Sequence, residues 1–137
     1  MNELSGGCLC GAVTYACASQ PLATAVCHCK ACQKSSGTAF SVVVAVARDA
    51  LRITGNSLKA YEDTGDSGNP TVRHFCSRCG TTIFGEMAAR PGIAFVKAGT
   101  LDDGSRLQPR MHVYWRDHMR WIERIGDLPK HDTMPDR

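Results

Sequence analysis

The cysteines are the feature that most constrains what this chain can fold into, because eight of its 137 residues are cysteine. Seven of them fall into three short groups, and the eighth, Cys17, stands alone. The groups read Cys8-Leu9-Cys10, Cys27-His28-Cys29-Lys30-Ala31-Cys32 and Cys76-Ser77-Arg78-Cys79. Thiolates two or three positions apart can reach one ion when the backbone turns between them, so this spacing indicates metal binding.

The beginning of the chain argues against disulfides as the role of these thiols. Residues 1–7 contain no basic segment, no apolar core and no cleavage site of a secretory signal. The longest apolar run, residues 42–47, is far shorter than the roughly 18 residues that a membrane span requires. We therefore expect a cytoplasmic protein without a membrane anchor, whose thiols stay reduced and available for metal binding or catalysis.

The first and third cysteine groups together predict one closed metal site. Cys76 and Cys79 lie between two strand-like runs, which indicates a zinc knuckle at the tip of a hairpin, and Gly80 allows the positive φ of such a turn. Cys8 and Cys10 offer two more thiolates from a glycine-flanked segment. Four thiolates make a tetrahedral site of the structural type. A redox CxxC pair is disfavoured because no βαβ pattern surrounds it.

The second group predicts a different kind of site, because Cys27, Cys29 and Cys32 supply three thiolates from a single loop. If the other four thiols form the closed site, the fourth position here is open to water or a ligand, as in catalytic zinc sites. A thiolate-rich zinc suits an incoming sulfur, since it lowers the pKa of a thiol. Three alternatives remain open: His28 or Cys17 completes this site, or all seven clustered cysteines are structural.

The rest of the chain predicts a mainly β protein with few short helices. Runs rich in β-branched and aromatic residues predict strands over residues 12–16, 39–47, 51–54, 58–61, 71–75, 81–84, 93–98 and 111–115. Short helical turns are expected over residues 30–35 and 117–124. No linker divides the chain, and its length fits one domain.

Charge gives little indication of a partner, because the net charge is only +3. Basic residues do concentrate between Arg106 and Arg124, where Tyr114, Trp115 and Trp121 lie among them. Such a strip could bind an anion or RNA. We interpret it instead as a solvated arginine face backed by tryptophans in the core, and no nucleic-acid partner is expected.

The cysteine groups and their neighbours resemble a known family. The segments Gly7-Cys8-Leu9-Cys10-Gly11-Ala12-Val13, Cys27-His28-Cys29-Lys30-Ala31-Cys32-Gln33-Lys34-Ser35-Ser36-Gly37 and Phe75-Cys76-Ser77-Arg78-Cys79-Gly80-Thr81 are similar to motifs of the glutathione-dependent formaldehyde-activating enzymes. That family shares its domain with centromere protein V. Residues 98–102 and 109–121, the latter with His112, extend the resemblance over residues 4–125.

The resemblance implies a β-tent type fold of small antiparallel sheets stabilised by zinc, with a zinc domain over residues 4–125 and a C-terminal tail over residues 126–137. It implies two zinc ions per chain. The structural zinc would be held by Cys8, Cys10, Cys76 and Cys79, and the catalytic zinc by Cys27, Cys29 and Cys32.

The resemblance also implies an activity. It is that of a carbon–sulfur lyase resembling S-(hydroxymethyl)glutathione synthase, in which the thiol of glutathione adds to formaldehyde. The expected partner is therefore a small-molecule thiol, with glutathione as the candidate. Two competing hypotheses are a non-catalytic zinc-stabilised binding module, which would carry a thiol or bind nucleic acid or protein, and a sensor whose loop cysteines release zinc on oxidation.

Overall fold

The computed structural model describes residues 3–64 and 68–135, and these residues form ten strands and one α-helix. The strands are β1 (Leu4–Gly7), β2 (Thr14–Cys17), β3 (Ala23–Cys27), β4 (Ser41–Ala47), β5 (Leu51–Thr54), β6 (Leu58–Thr64), β7 (Pro70–Cys76), β8 (Thr82–Met87), β9 (Ile93–Lys97) and β10 (Met111–Val113). The helix is α1 (Lys30–Ser36). Short 3-10 segments span Arg48–Ala50, Ala98–Thr100, Trp115–Asp117 and Arg120–Asp127.

The strands form two sheets. The smaller has the order β1-β2-β5, and the larger has the order β10-β3-β4-β9-β8-β7-β6. Every neighbouring pair is antiparallel except β10 and β3, which run parallel. The predicted mainly β class, with small antiparallel sheets and little helix, is therefore confirmed. None of the described helices is long and apolar enough to cross a bilayer.

One apolar core joins the two sheets. Tyr15 and Leu51 come from the small sheet, while Val44, Val46 and Phe84 come from the large one. Burying each such aliphatic or aromatic side chain contributes about 1.5–3 kcal/mol relative to leaving it in water. The lone Cys17 belongs to this core and is only 1% exposed, in keeping with the apolar run in which it stands.

Most strands lie where the sequence predicts them, with ends shifted by up to three residues, and the helix expected over residues 30–35 is α1. Two strands, β1 and β3, were not predicted. β1 contains the glycine pair Gly6-Gly7, which lowers its intrinsic strand preference. Gly6 is required by packing, because a Cβ there would collide with the carbonyl oxygen of Thr100 and the ring of Tyr15.

The region after β10 corrects one interpretation. The predicted strand over residues 111–115 ends at Val113, because Tyr114 takes a left-handed conformation (φ 55°). Trp115 and Trp121 are 40% and 50% exposed, so the interpretation of a tryptophan face packed in the core is wrong. The physical reason is the position of this segment, which follows β10, the edge strand of the large sheet, and pairs with no further strand among the described residues.

The predicted domain boundary at residue 125 stays a prediction. The 3-10 segment Arg120–Asp127 runs across it, and the described part of the predicted tail, up to residue 135, is exposed. Residues 136 and 137 of that tail lie outside the described residues.

Candidate metal centres

The third cysteine group lies at a hairpin tip, as its spacing predicts. β7 ends at Cys76 and pairs with β8, and the turn between them carries Cys79. The amide of Gly80 (φ 81°) donates to the carbonyl of Cys76 at 2.8 Å, and the amide of Cys76 donates to the carbonyl of Thr81 at 2.9 Å. These bonds close the turn so that both thiols face the same side.

The first cysteine group forms a second tight turn that meets this hairpin tip. The amide of Gly11 (φ 82°) donates to the carbonyl of Cys8 at 3.1 Å, which folds the chain back after Cys10. The amide of Leu9 donates to Thr81 Oγ1 at 3.1 Å and so links the two turns. Tertiary structure thus brings together segments more than sixty residues apart.

The sulfurs of these two turns form one cluster, which we call the four-cysteine group: Cys8, Cys10, Cys76 and Cys79. All four Sγ atoms lie within 4.8 Å of one another. The Sγ atom of Cys10 is 3.7 Å from that of Cys8 and 3.9 Å from that of Cys76. The group could hold one metal ion in which the four sulfurs occupy all four tetrahedral positions.

Hydroxyl groups beside the four-cysteine group favour the ionised form of two of its thiols. Ser57 Oγ lies 3.2 Å from Cys76 Sγ, and its hydrogen bond lowers the pKa of Cys76. Thr81 Oγ1 lies 3.2 Å from Cys79 Sγ and, as the main cause, lowers the pKa of Cys79 to about 5. Metal binding requires thiolates, so these donors prepare the group for a cation.

The second cysteine group lies at the junction of β3 and α1, and we call it the three-cysteine group. Cys27 is the last residue of β3, Cys29 is the N-cap of α1, and Cys32 lies in the first helical turn. The amide of Cys32 donates to Cys29 Sγ at 3.3 Å. The three Sγ atoms lie within 4.8 Å of one another, so one loop brings all three to a common point.

Protons are unevenly shared among these three thiols. Hydrogen bonds from Cys27 and Cys32 lower the pKa of Cys29 far below its ordinary value. The hydrogen bond to Cys29 raises the pKa of Cys27, and hydrogen bonds to Cys27 and then to Cys29 raise the pKa of Cys32, because each donates to a neighbouring sulfur. Three thiolates this close repel one another unless a cation balances them. A soft divalent ion therefore fits the donor set.

The structure separates His28 from the three-cysteine group, although it stands between two of its members in the sequence. Its ring is fully buried, and its Nε2 lies 2.9 Å from Nδ1 of His112. The ring packs against Phe40 and Trp115 at centroid distances of 5.7 and 5.1 Å. Neither His28 nor the core residue Cys17 belongs to this group of metal-ligand atoms in the described residues. The alternatives in which either residue completes the site thus find no support.

Gln33 holds this loop in place, a role that the sequence did not predict. Its side-chain amide is buried and donates to the carbonyl of His28 at 2.8 Å and to the carbonyl of Asp117 at 3.1 Å. These bonds tie the three-cysteine loop to the segment after β10. A glutamine in a short helix carries no sequence signal of this role, because both acceptors are backbone carbonyls set by tertiary structure.

Comparison with known proteins gives a consistent result. The model of the family "Glutathione-dependent formaldehyde-activating enzyme" matches residues 3–117. A Halomonas elongata protein provisionally named as such an enzyme is 28% identical over 125 residues, which are 88% of this chain and 80% of that protein. A Penicillium rubens protein of the same provisional name is 33% identical over 87 residues, which are 61% of this chain and 44% of that protein.

The chain thus spans less than half the length of the fungal relative, while it spans most of the bacterial one. Among solved structures, a crystal structure of a Rhodobacter sphaeroides protein is similar, with a TM-score of 0.60 and 19% identity. The match covers 79% of this chain and 98% of that chain. At this identity the likeness concerns the fold alone.

Proposed function

Because this chain belongs to the glutathione-dependent formaldehyde-activating enzyme family, we propose that it is a zinc-dependent carbon–sulfur lyase. The proposed reaction is of the S-(hydroxymethyl)glutathione synthase type. The sulfur of glutathione adds to the carbonyl carbon of formaldehyde, a carbon–sulfur bond forms, and the thiol proton ends on the former carbonyl oxygen. The reverse reaction breaks the same carbon–sulfur bond.

The donor chemistry of the two cysteine groups supports zinc as the metal. Each group consists of sulfur atoms alone, and Zn²⁺ in proteins is commonly bound by three or four thiolates. In this proposal the structural ion is held by Cys8, Cys10, Cys76 and Cys79, and the second ion by Cys27, Cys29 and Cys32. Two zinc ions per chain follow from this division.

One observation carries the proposed activity: the second group contains three sulfurs and neither His28 nor Cys17 joins them. Zinc held by three protein ligands keeps a position for a substrate and lowers the pKa of a thiol that binds there. The protein itself contributes placement. Gln33 fixes the loop through its two backbone contacts, and the amide of His28 donates to the carbonyl of Val113 at 3.1 Å.

The first test counts metal ions and their ligands. We expect two zinc ions per chain after anaerobic zinc loading and removal of free metal. X-ray absorption, which averages over the two ions, should report mainly sulfur ligands with a minority share of a lighter atom. A second closed all-sulfur shell made by protein ligands would contradict the open site.

The second test measures chemistry. Zinc-loaded protein mixed with glutathione and formaldehyde should accelerate exchange between the free thiol and its hydroxymethyl adduct, followed by NMR exchange spectroscopy. Cys29→Ser should abolish the acceleration, while Cys17→Ala, a cysteine of the core, should keep it. Exchange at the uncatalysed rate with two zinc ions bound would refute this activity and favour the non-catalytic binding module.

A further inference from the structure

A cavity of about 630 Å³ lies between the end of α1, the beginning of β4 and the end of β9. Its wall includes Ser41, which pairs across the sheet with Cys27 of the three-cysteine group. This volume falls within the range of ordinary small-molecule sites. Hydroxyl side chains make up much of its wall, including Ser36, Thr38, Ser41 and Thr82. The charged side chain in this wall is Lys97, so the cavity offers neutral hydrogen-bonding groups around one cation.

The ammonium group of Lys97 has fewer hydrogen-bond partners in this cavity than it has donors. Its Nζ donates to Ser41 Oγ at 2.7 Å and makes a long contact with Ser36 Oγ at 3.5 Å. Over residues 3–64 and 68–135, no carboxylate forms an ion pair with it. An ammonium group has three donors, so at least one remains for a ligand. An incoming carboxylate could take that donor and add a counter-charge to this partly buried cation.

Sheet register places Lys97 close to the three-cysteine group. Cys27 pairs with Ser41 across β3 and β4, and Val43 pairs with Lys97 across β4 and β9. Directly paired residues and residues two apart on one strand share a face of the sheet. Cys27, Ser41 and Lys97 therefore lie on one face, in adjacent rows. Burial lowers the pKa of Lys97, and the charges of the neighbouring thiols oppose that shift.

The geometry points to Lys97 as the residue that binds a carboxylate of the thiol substrate, within this cavity. This inference rests on the proposed function and adds the substrate class: thiols that carry a carboxylate a short chain away from the sulfur. The sulfur would lie at the three-cysteine group and the carboxylate at Lys97. The hydroxyls of the cavity wall would supply further donors to the same group.

The alternative is a purely structural role for Lys97. Its contacts with Ser36 and Ser41 connect β9 to α1 and β4. The two readings differ in what they predict for ligands. A structural lysine affects the binding of all thiols equally or affects only stability. A carboxylate-binding lysine discriminates between thiols with and without a carboxylate.

The test compares glutathione with its bis-amide, which keeps the thiol and both peptide bonds but lacks the two carboxylates. Calorimetric titration of zinc-loaded protein should show glutathione binding about tenfold more tightly or better, the value of one hydrogen bond to a charged group. Lys97→Met, which keeps the apolar stem, should remove about tenfold of that preference and leave affinity for the bis-amide unchanged. Lys97→Arg should retain the preference.

Each result is decisive. Equal affinity of the unaltered protein for both ligands, or a preference that survives Lys97→Met, overturns the role of Lys97 and leaves the lyase proposal standing. Equal loss for both ligands in Lys97→Met assigns a structural role. If neither ligand binds, the proposed function fails as well.

NMR of the unaltered protein with ¹³Cε-labelled lysine gives an answer even if Lys97→Met does not fold. The Lys97 signal should shift with glutathione and stay in place with the bis-amide. The opposite pattern, or equal shifts with both ligands, contradicts the inference.

Discussion

The two cysteine groups use the same side chain in opposite ways. The four-cysteine group draws its thiols from distant segments, as the pair Cys10 and Cys76, 66 positions apart, illustrates. The three-cysteine group takes all its ligands from one six-residue stretch, Cys27 to Cys32. A metal in the four-cysteine group would cross-link distant parts of the fold, whereas a metal in the three-cysteine group would cross-link only one loop. We therefore expect a metal in the four-cysteine group to stabilise the whole fold, and a metal in the three-cysteine group to leave the stability of the fold largely unchanged.

The largest effect expected from this contrast concerns stability. Structural zinc contributes apparent free energies of about 10–16 kcal/mol in small zinc domains, as much as the whole stability of a typical domain. Cys79→Ser should therefore abolish the cooperative thermal transition followed by circular dichroism. Cys29→Ser should retain that transition while zinc content falls from two ions to one. Equal losses of stability in the two variants would contradict the expected difference between the two cysteine groups.

A smaller effect tests what holds the three-cysteine loop. Gln33→Leu removes donors to two carbonyls. The bond to the carbonyl of His28 is buried, and one unsatisfied buried group costs about 1–3 kcal/mol, whereas the carbonyl of Asp117 is only partly buried. We expect urea denaturation to show a loss in that range. Zinc should leave the three-cysteine group more readily in competition with a chelator, while the four-cysteine group of the same molecule serves as the control. Faster loss from both groups would mean that Gln33 supports the fold in general.

The pH dependence of the four-cysteine group gives a third prediction. The pKa of Cys79 is lowered from 9.0 to about 5, mainly by Thr81, so the stability that its thiolate contributes is complete only above pH 9 and disappears as the pH falls through about 5. Thr81→Val removes this donor, raises the thiol pKa and lets protons compete better with zinc. Acid release of zinc, measured with a colorimetric indicator, should move upward by roughly half a pH unit. A downward shift, or none, contradicts this role of Thr81.

The smallest effect is expected outside both groups. Arg120 is exposed in a segment without buried residues, so Arg120→Glu should change the free energy of unfolding by less than about 0.5 kcal/mol. Zinc content and the rate of adduct exchange should stay the same. A loss of zinc or of the exchange rate would mean that the basic residues between Arg106 and Arg124 influence the cysteine groups.

Prediction from sequence succeeded where the signal is local. The CxxC spacing and the following glycine predicted the hairpin tip at Cys76 and Cys79, and the helical turn expected from residue 30 is α1, which begins directly after its N-cap, Cys29. It failed where packing overrides preference. β3 was not predicted because its alanines have a low intrinsic strand preference. Pairing with β4 and β10 stabilises the strand. The exposure of Trp121 was missed because sequence does not show which element lies at a sheet edge.

The spacing of seven cysteines by itself predicted metal binding, with the division four and three as one of several open possibilities. Spacing carries that signal because two or three thiols in a short stretch of backbone can reach one ion, whereas the meeting of Cys10 with Cys76 needed the tertiary structure. Only the tertiary structure decided that His28 turns away from Cys29 and towards His112, and that Lys97 comes to lie beside Ser41. Those placements depend on the register of β3, β4 and β9 and on the position of β10. Between strands that no tight turn connects, such as β4 and β9, register is set by which face of each strand the sheet buries, and the local sequence does not show it.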